Sequence, residues 1–235
     1  MSARPWVRGL RLSLGIALLA SLAGAATPDV SSLRPRRWLF EVVGGVNNMA
    51  LADAKSFYSD VLDFYQQSGI PVESQREFPP NLIFGADLLR GSNPNFRWGL
   101  GTRYTWTHAY SLYGDYSGTL DIAMEVRLLA LQIVLQKAWS GSTWSPFVDL
   151  RVGEGLVWLD ASETLDFSSS GGPTSVTELI GDGRAPLAEL HFGTRRSMGR
   201  YLATGSLGYR YCNVSGPFDL DVSGVVLTLG LGFPF

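Results

Sequence analysis

The chain of 235 residues has one cysteine, Cys212, and two histidines, His108 and His191. A single thiol excludes a disulfide framework and a cysteine-built zinc site, and leaves Cys212 as a small strand residue. Lysine is nearly missing: the 19 cations are arginines apart from Lys55 and Lys137, and they face 21 acids for a net charge of −2. That balance offers no basic field for nucleic acid or an anionic surface. Uninterrupted apolar runs of 18 or more residues do not occur, which argues against membrane-spanning helices. No P-loop, G-x-S-x-G elbow, dinucleotide fingerprint or cluster of metal ligands is present, so no cofactor is expected.

What the chain does have is glycine, 27 residues, a 12% share of aromatics and a mean hydropathy of +0.09. Secreted soluble domains are more hydrophilic than this. At the N-terminus, Arg4, Arg8 and Arg11 precede an apolar run from Leu12 to Leu22 and the small residues Ala23, Gly24 and Ala25. This pattern predicts a secretory signal peptide over 1–25, too short in its apolar part to span a membrane. About 210 residues remain, enough for one domain with a sizeable core.

The C-terminal stretch carries the strongest signal. From Val225 onwards alternate positions read Val225, Leu227, Leu229, Leu231, Phe233 and Phe235, while Val226, Thr228, Gly230, Gly232 and Pro234 lie between them. A period of two marks a strand with two different faces, one wholly apolar and the other mostly small. Its ten to twelve residues match the roughly 9–11 of a tilted membrane-crossing strand. The segment resembles the terminal strand of bacterial outer-membrane β-barrels, which ends in an aromatic residue. That resemblance implies a Gram-negative outer-membrane location, with a short periplasmic segment over 26–36 and a barrel over 37–235. It also implies that Leu231, Phe233 and Phe235 form the signal read by the barrel-assembly machinery, and that outer-membrane lipids surround the folded chain. An ordinary strand of a secreted sandwich or lipocalin-like binder is the competing reading.

Alternation predicts eight antiparallel strands, an all-β up-and-down barrel: 37–46, 81–90, 96–107, 119–138, 147–159, 185–195, 200–212 and 225–235. Within the third, Phe96, Trp98, Leu100, Tyr104 and Trp106 share a face, with aromatics at both ends in the manner of membrane-interface girdles. The fourth changes phase: Leu120, Ile122, Met124, Val126 and Leu128 alternate, and then Leu129, Leu131, Ile133 and Leu135. A β-bulge at Leu128–Leu129 would keep both sets on the outer face; a buried helix fits the same stretch. Glu154 breaks the pattern of the fifth strand. One helix is expected as an insertion over about 48–68, capped by Asn47 or Asn48 and stopped by Gly69 and Pro71, with Leu51, Ala54, Phe57, Tyr58, Val61, Leu62 and Tyr65 at helical spacing on one stripe. A long loop is expected over about 161–184, around Ser168–Pro173. Short and long connections then alternate, as in outer-membrane barrels with short periplasmic turns and long external loops.

Counting inward positions by parity places Glu41, Asp87, Asp121, Glu125, Asp149 and Glu189 in the lumen with Arg97, Arg103, Arg127, Arg151, Arg195 and Arg210, and His191 beside Glu189 or Arg210. Buried charges must pair, and eight strands leave room for little except side chains. Small barrels of the OmpA and OmpX type, which this chain resembles in size and strand count, are filled in a similar way. The expected role is therefore non-enzymatic: a structural or surface-interaction barrel, whose external ligand or partner the sequence does not name. Two alternatives stay open. A lipid A-modifying enzyme would use His108 or His191 with a serine and a carboxylate, for instance His108, Ser111 and Asp115. A narrow channel or carrier would need a path past the arginines.

Overall fold

The computed structural model describes residues 38–76, 78–93, 95–115, 118–139, 144–167, 174–215 and 219–235. The expected signal peptide and the segment over 26–36 lie outside them. The elements run β1 (Trp38–Met49), α1 (Ala52–Gln67), β2 (Ser74–Arg76), β3 (Asn81–Asn93), β4 (Phe96–Asp115), β5 (Gly118–Ala138), β6 (Ser145–Phe167), β7 (Thr174–Met198), β8 (Tyr201–Val214), β9 (Leu220–Asp221) and β10 (Gly224–Pro234). All pairings are antiparallel. Sequential neighbours pair from β1 through β3, β4, β5, β6, β7 and β8, and β10 pairs with both β8 and β1, closing eight strands into a barrel. Closure removes the sheet edges that would otherwise expose unpaired backbone.

Register fixes the slant of the strands. Following paired residues from Val46 through Leu82, Trp106, Arg127 and Trp158 reaches Asp182 on β7. Following them the other way through Leu227 and Leu207 reaches Phe192 on the same strand. These end points lie ten residues apart, which for eight strands corresponds to a tilt of about 40°. Both described termini sit at one end with the short connections, including the Gly199–Arg200 turn, where Gly199 has φ 63°. α1, β2 and β9 sit at the other, the loop end.

Several strands outrun expectation at the loop end. β6 continues to Phe167 and β7 starts at Thr174, so most of the loop expected over 161–184 is hairpin. β4, β5, β6 and β7 span 20–25 residues, twice what a bilayer needs. The predicted bulge in β5 is not formed: pairing with β4 and β6 runs without a register shift from Gly118 to Ala138. Nor is the stretch a helix. Instead Leu120, Ile122, Met124, Val126 and Leu128 point inward and are buried, whereas Leu131, Ile133 and Leu135 point outward and are exposed. The apolar face changes sides at Leu128–Leu129 because its surroundings change, not its backbone. Glu154 sits on the outer face, opposite Leu131 and Pro186 in unbroken register, so no bulge accompanies it either.

The inward apolar residues at the loop end meet α1. Ala54, Tyr58 and Leu62 form its buried stripe at i, i+4 and i+8 and pack with Leu51, Val72, Leu120, Ile122, Met124 and Val222. Burying a side chain of this size contributes about 1.5–3 kcal/mol. Tyr58 Oη lies 2.7 Å from Ser111 Oγ on β4. Tyr65 is tied to Glu163 of β6, and burial together with that hydrogen bond pushes its phenol up to about 12. The expected asparagine cap is replaced by Leu51 in the left-handed region (φ 49°), with no side-chain cap; Lys55 Nζ instead bonds the Ala50 carbonyl at 2.9 Å.

Candidate functional site: the charged lumen

Below the apolar plug, inward positions of β1, β3, β4, β6, β7 and β8 carry charge. Asp87 on β3 is 1% exposed and is gripped by two guanidinium forks. Arg103 of β4 donates to its two oxygens at 2.8 and 2.7 Å, and Arg151 of β6 at 3.0 and 2.9 Å. Arg151 also donates to Asp149 Oδ2 through Nε at 3.0 Å and Nη2 at 2.6 Å. Because β3 and β6 are three strands apart in a ring of eight, this cluster reaches across the lumen between non-adjacent strands. Bidentate, desolvated pairs of this kind are the strong ones, and every carboxylate so buried needs them.

A second group adjoins the first, with Glu189 of β7 in register with Arg151 and His191 with Asp149. Glu189 accepts from Arg210 Nε at 2.5 Å and contacts His191 Nε2 at 3.0 Å; both side chains of the Glu189–Arg210 pair are essentially inaccessible. His191 Nδ1 is 3.3 Å from Ser206 Oγ, which is 2.7 Å from Thr228 Oγ1. Glu41 accepts from Thr204, and Arg195 donates to Gln136 at 3.3 Å.

Glycines make room for these groups. A Cβ at Gly101 would stand 2.3 Å from Asp87 Oδ1 and 3.2 Å from Arg151 Nη1. Gly101→Ala should therefore lower the unfolding free energy by about 1–3 kcal/mol, measured by urea titration. Loss within about 0.3 kcal/mol would show that Asp87 can move aside.

Three of the thirteen residues assigned to the lumen by parity are not in it. Asp121, Glu125 and Arg127 lie on the outer face of β5, toward the loop end, where Arg127 pairs with Asp160 and stands 3.7 Å from Glu125. Parity itself was right within each half of β5; the error came from holding the apolar face outward along the whole strand. Sequence reading also missed Gln136, Thr204, Ser206 and Thr228, whose neutral side chains gave no charge pattern, and Asp160, the outer-face partner of Arg127. The His108, Ser111 and Asp115 constellation is not assembled: His108 stacks on Tyr110 on the outer face, Ser111 faces inward to Tyr58, and Asp115 accepts from Tyr113. Among the described residues no group of histidine, cysteine and acids could hold a metal ion.

Outside the charged lumen, the same strands show lipid-type surface. Leu100, Leu131, Ile133, Val152, Leu190, Leu207 and Leu229 form an exposed apolar belt. Aromatics bound it: Phe84, Tyr104 and Trp106 stack together on the loop side, and Trp38 under Arg90, Tyr201 and Phe233 lie on the turn side. Leu231, Phe233 and Phe235 all face outward. A soluble barrel would reverse this order, with charge outside and apolar residues within. The fold is that of a small outer-membrane β-barrel.

No family model and no curated relative matches the sequence. Solved structures of similar fold include neisserial surface protein A, at 10% identity and TM-score 0.46 over 84% of this chain and 96% of that one. Ail, the attachment invasion locus protein of Yersinia pestis, in complex with the heparin analogue sucrose octasulfate, shares 14% identity at TM-score 0.41 over 85% and 99%. The outer-membrane protein OprG of Pseudomonas aeruginosa shares 16% identity at TM-score 0.41 over 88% and 99%. These likenesses concern the fold alone.

Proposed function

We propose that the chain is an exported barrel of a Gram-negative outer membrane with a structural or surface-interaction role, neither an enzyme nor a channel. The observation that carries this reading is the double filling of the lumen: the Asp87–Arg103–Arg151 cluster and, above it, the α1 plug. A passage for ions would need hydrated space where these side chains interdigitate. The long loop-end extensions of β4, β5, β6 and β7 would stand outside the bilayer as the surface presented to partners, with termini and short turns in the periplasm. The Glu189–His191–Ser206 chain has the order of an acyl-transfer triad, but its hydroxyl faces the lumen beside Thr228 and away from lipid, which suits a hydrogen-bonded support for His191. Leu231, Phe233 and Phe235 would serve as the assembly signal.

Heat-modifiability checks the location. Full-length chain expressed with its N-terminus should fractionate with outer membranes and migrate differently on gels before and after boiling, and the purified folded form should give no steady conductance in planar bilayers. Recovery as a soluble periplasmic protein without a mobility shift would overturn the membrane assignment, and steady conductance would overturn the closed lumen.

A further inference from the structure

Resting on the membrane assignment above, we propose that the turn-side rim of the outer face is a docking surface for a glycerophospholipid of net negative charge, its phosphate lying at Arg90 between Trp38 and Trp98. The net charge of −2 conceals a division made by the fold. Asp53, Asp60 and Asp63 stand on the exposed side of α1, and Asp121, Glu125 and Asp160 on the outer wall, all at the loop end. The turn end carries the opposite sign outside. Arg90 near the end of β3 and Lys137 near the end of β5 are exposed on the outer face, and Arg200 is exposed in the turn after β7. Arg127 at the loop end has Asp160, but none of these three cations pairs with a described acid. Among the described residues, no Asp or Glu lies on the outer face along the paired rows that run from Trp38 and Phe40 to Leu150 and Val152.

Arg90 sits directly opposite Trp38 on β1 and Trp98 on β4, so the three side chains share one outward row. Its guanidinium lies over the Trp38 ring, 5.7 Å from the centroid. Guanidinium and indole N–H groups only donate, so their complement is an oxygen-rich acceptor such as a phosphodiester. A zwitterionic headgroup would bring an ammonium or choline as well. No acid in these rows would receive that cation, and the Trp38 face that could hold it by cation–π attraction is taken by Arg90. Phe40, Leu88 and Leu100, one outward step toward the loop end, are exposed and offer the acyl chains an apolar track. Lys137, two strands further round, continues the positive rim. Each such cation favours an anionic membrane surface about fivefold.

Tryptophan quenching by lipids brominated on their acyl chains tests this, with the full chain folded into phosphatidylcholine vesicles at low ionic strength. Trp106→Phe and Trp158→Phe, introduced throughout, leave the described outer-face tryptophans on the turn side only. Brominated phosphatidylglycerol should quench at a mole fraction about fivefold lower than brominated phosphatidylcholine. Arg90→Gln combined with Lys137→Gln should bring the two lipids to parity, whereas Arg90→Lys, which keeps the charge, should retain most of the preference. Molar salt should weaken it by screening. Gel mobility before boiling reports whether each variant is folded. Equal quenching by both lipids, or a preference that survives the double substitution, would overturn the proposal and leave the membrane assignment intact. A chain with no boiling-dependent mobility shift in vesicles would overturn the assignment and the proposal together.

Discussion

Replacing Asp87 by Ala should cost the folded barrel about 3–5 kcal/mol, the largest loss expected from any single lumen substitution. The reason lies in what remains. Arg103 and Arg151 are each buried, at 3% and 5% exposure, and both spend two hydrogen bonds on Asp87. Without it, Arg151 keeps Asp149, but Arg103 retains only the Thr102 carbonyl at 2.9 Å. An uncompensated buried charge is far costlier than a missing pair. It follows that removing Asp87 together with Arg103 should hurt less than removing Asp87 alone: Asp87→Leu combined with Arg103→Met, which leaves the Arg151–Asp149 pair in place, should recover most of the loss. Urea titration of protein folded in phospholipid vesicles, followed by tryptophan fluorescence, measures both. A loss below about 1 kcal/mol for Asp87→Ala would mean that water reaches the cluster and screens it, and the closed-lumen reading would fall with it.

The second large effect separates lipid from water on a single strand. Ile133 and Asp121 both point outward from β5, and Ile133 is 56% exposed. If the belt lies in hydrocarbon, Ile133→Arg should destabilise by about 2–4 kcal/mol, as for a cation near the bilayer midplane. Asp121→Arg, twelve positions toward the loop end, should change stability by no more than about 0.5 kcal/mol, as at an ordinary wetted surface. The same vesicle titration reads both variants. Equal, small effects would place the whole outer face of β5 in water.

Much of the architecture was legible in the sequence. Eight alternating stretches and an inserted helix reappear, because strand and helix periodicity are local properties; the alternation of short and long connections does not, since 116–117 alone join β4 to β5 whereas 139–144 separate β5 from β6. Within the lumen, Glu41, Asp87, Arg97, Arg103, Asp149, Arg151, Glu189, His191, Arg195 and Arg210 are inward in the structure, as alternation places them. The failures concentrate where a strand passes from one solvent to another. In β5 a change in apolar phase looked like an inserted residue, since a lipid-facing strand was assumed to stay lipid-facing along its length. The same assumption put Asp121, Glu125 and Arg127 inside. In β6 and β7, polar residues between 161 and 184 looked like a loop, although paired strands standing clear of a bilayer have no need of an apolar outer face.

Which acid meets which arginine was beyond alternation altogether. Parity says that Asp87 and Arg151 both face inward, but they are 64 residues apart and three strands removed. Their contact depends on the ten-residue offset accumulated around the barrel, which sets the height of every residue relative to its neighbours across the lumen. The sequence by itself determined the strands, their two faces and the need to pair buried charge, since those follow from side-chain period and desolvation. Only the tertiary structure decided where along each strand the inner face turns from charged to apolar, because that boundary is drawn by barrel closure and by α1 filling the loop end, and neither is written in any one strand.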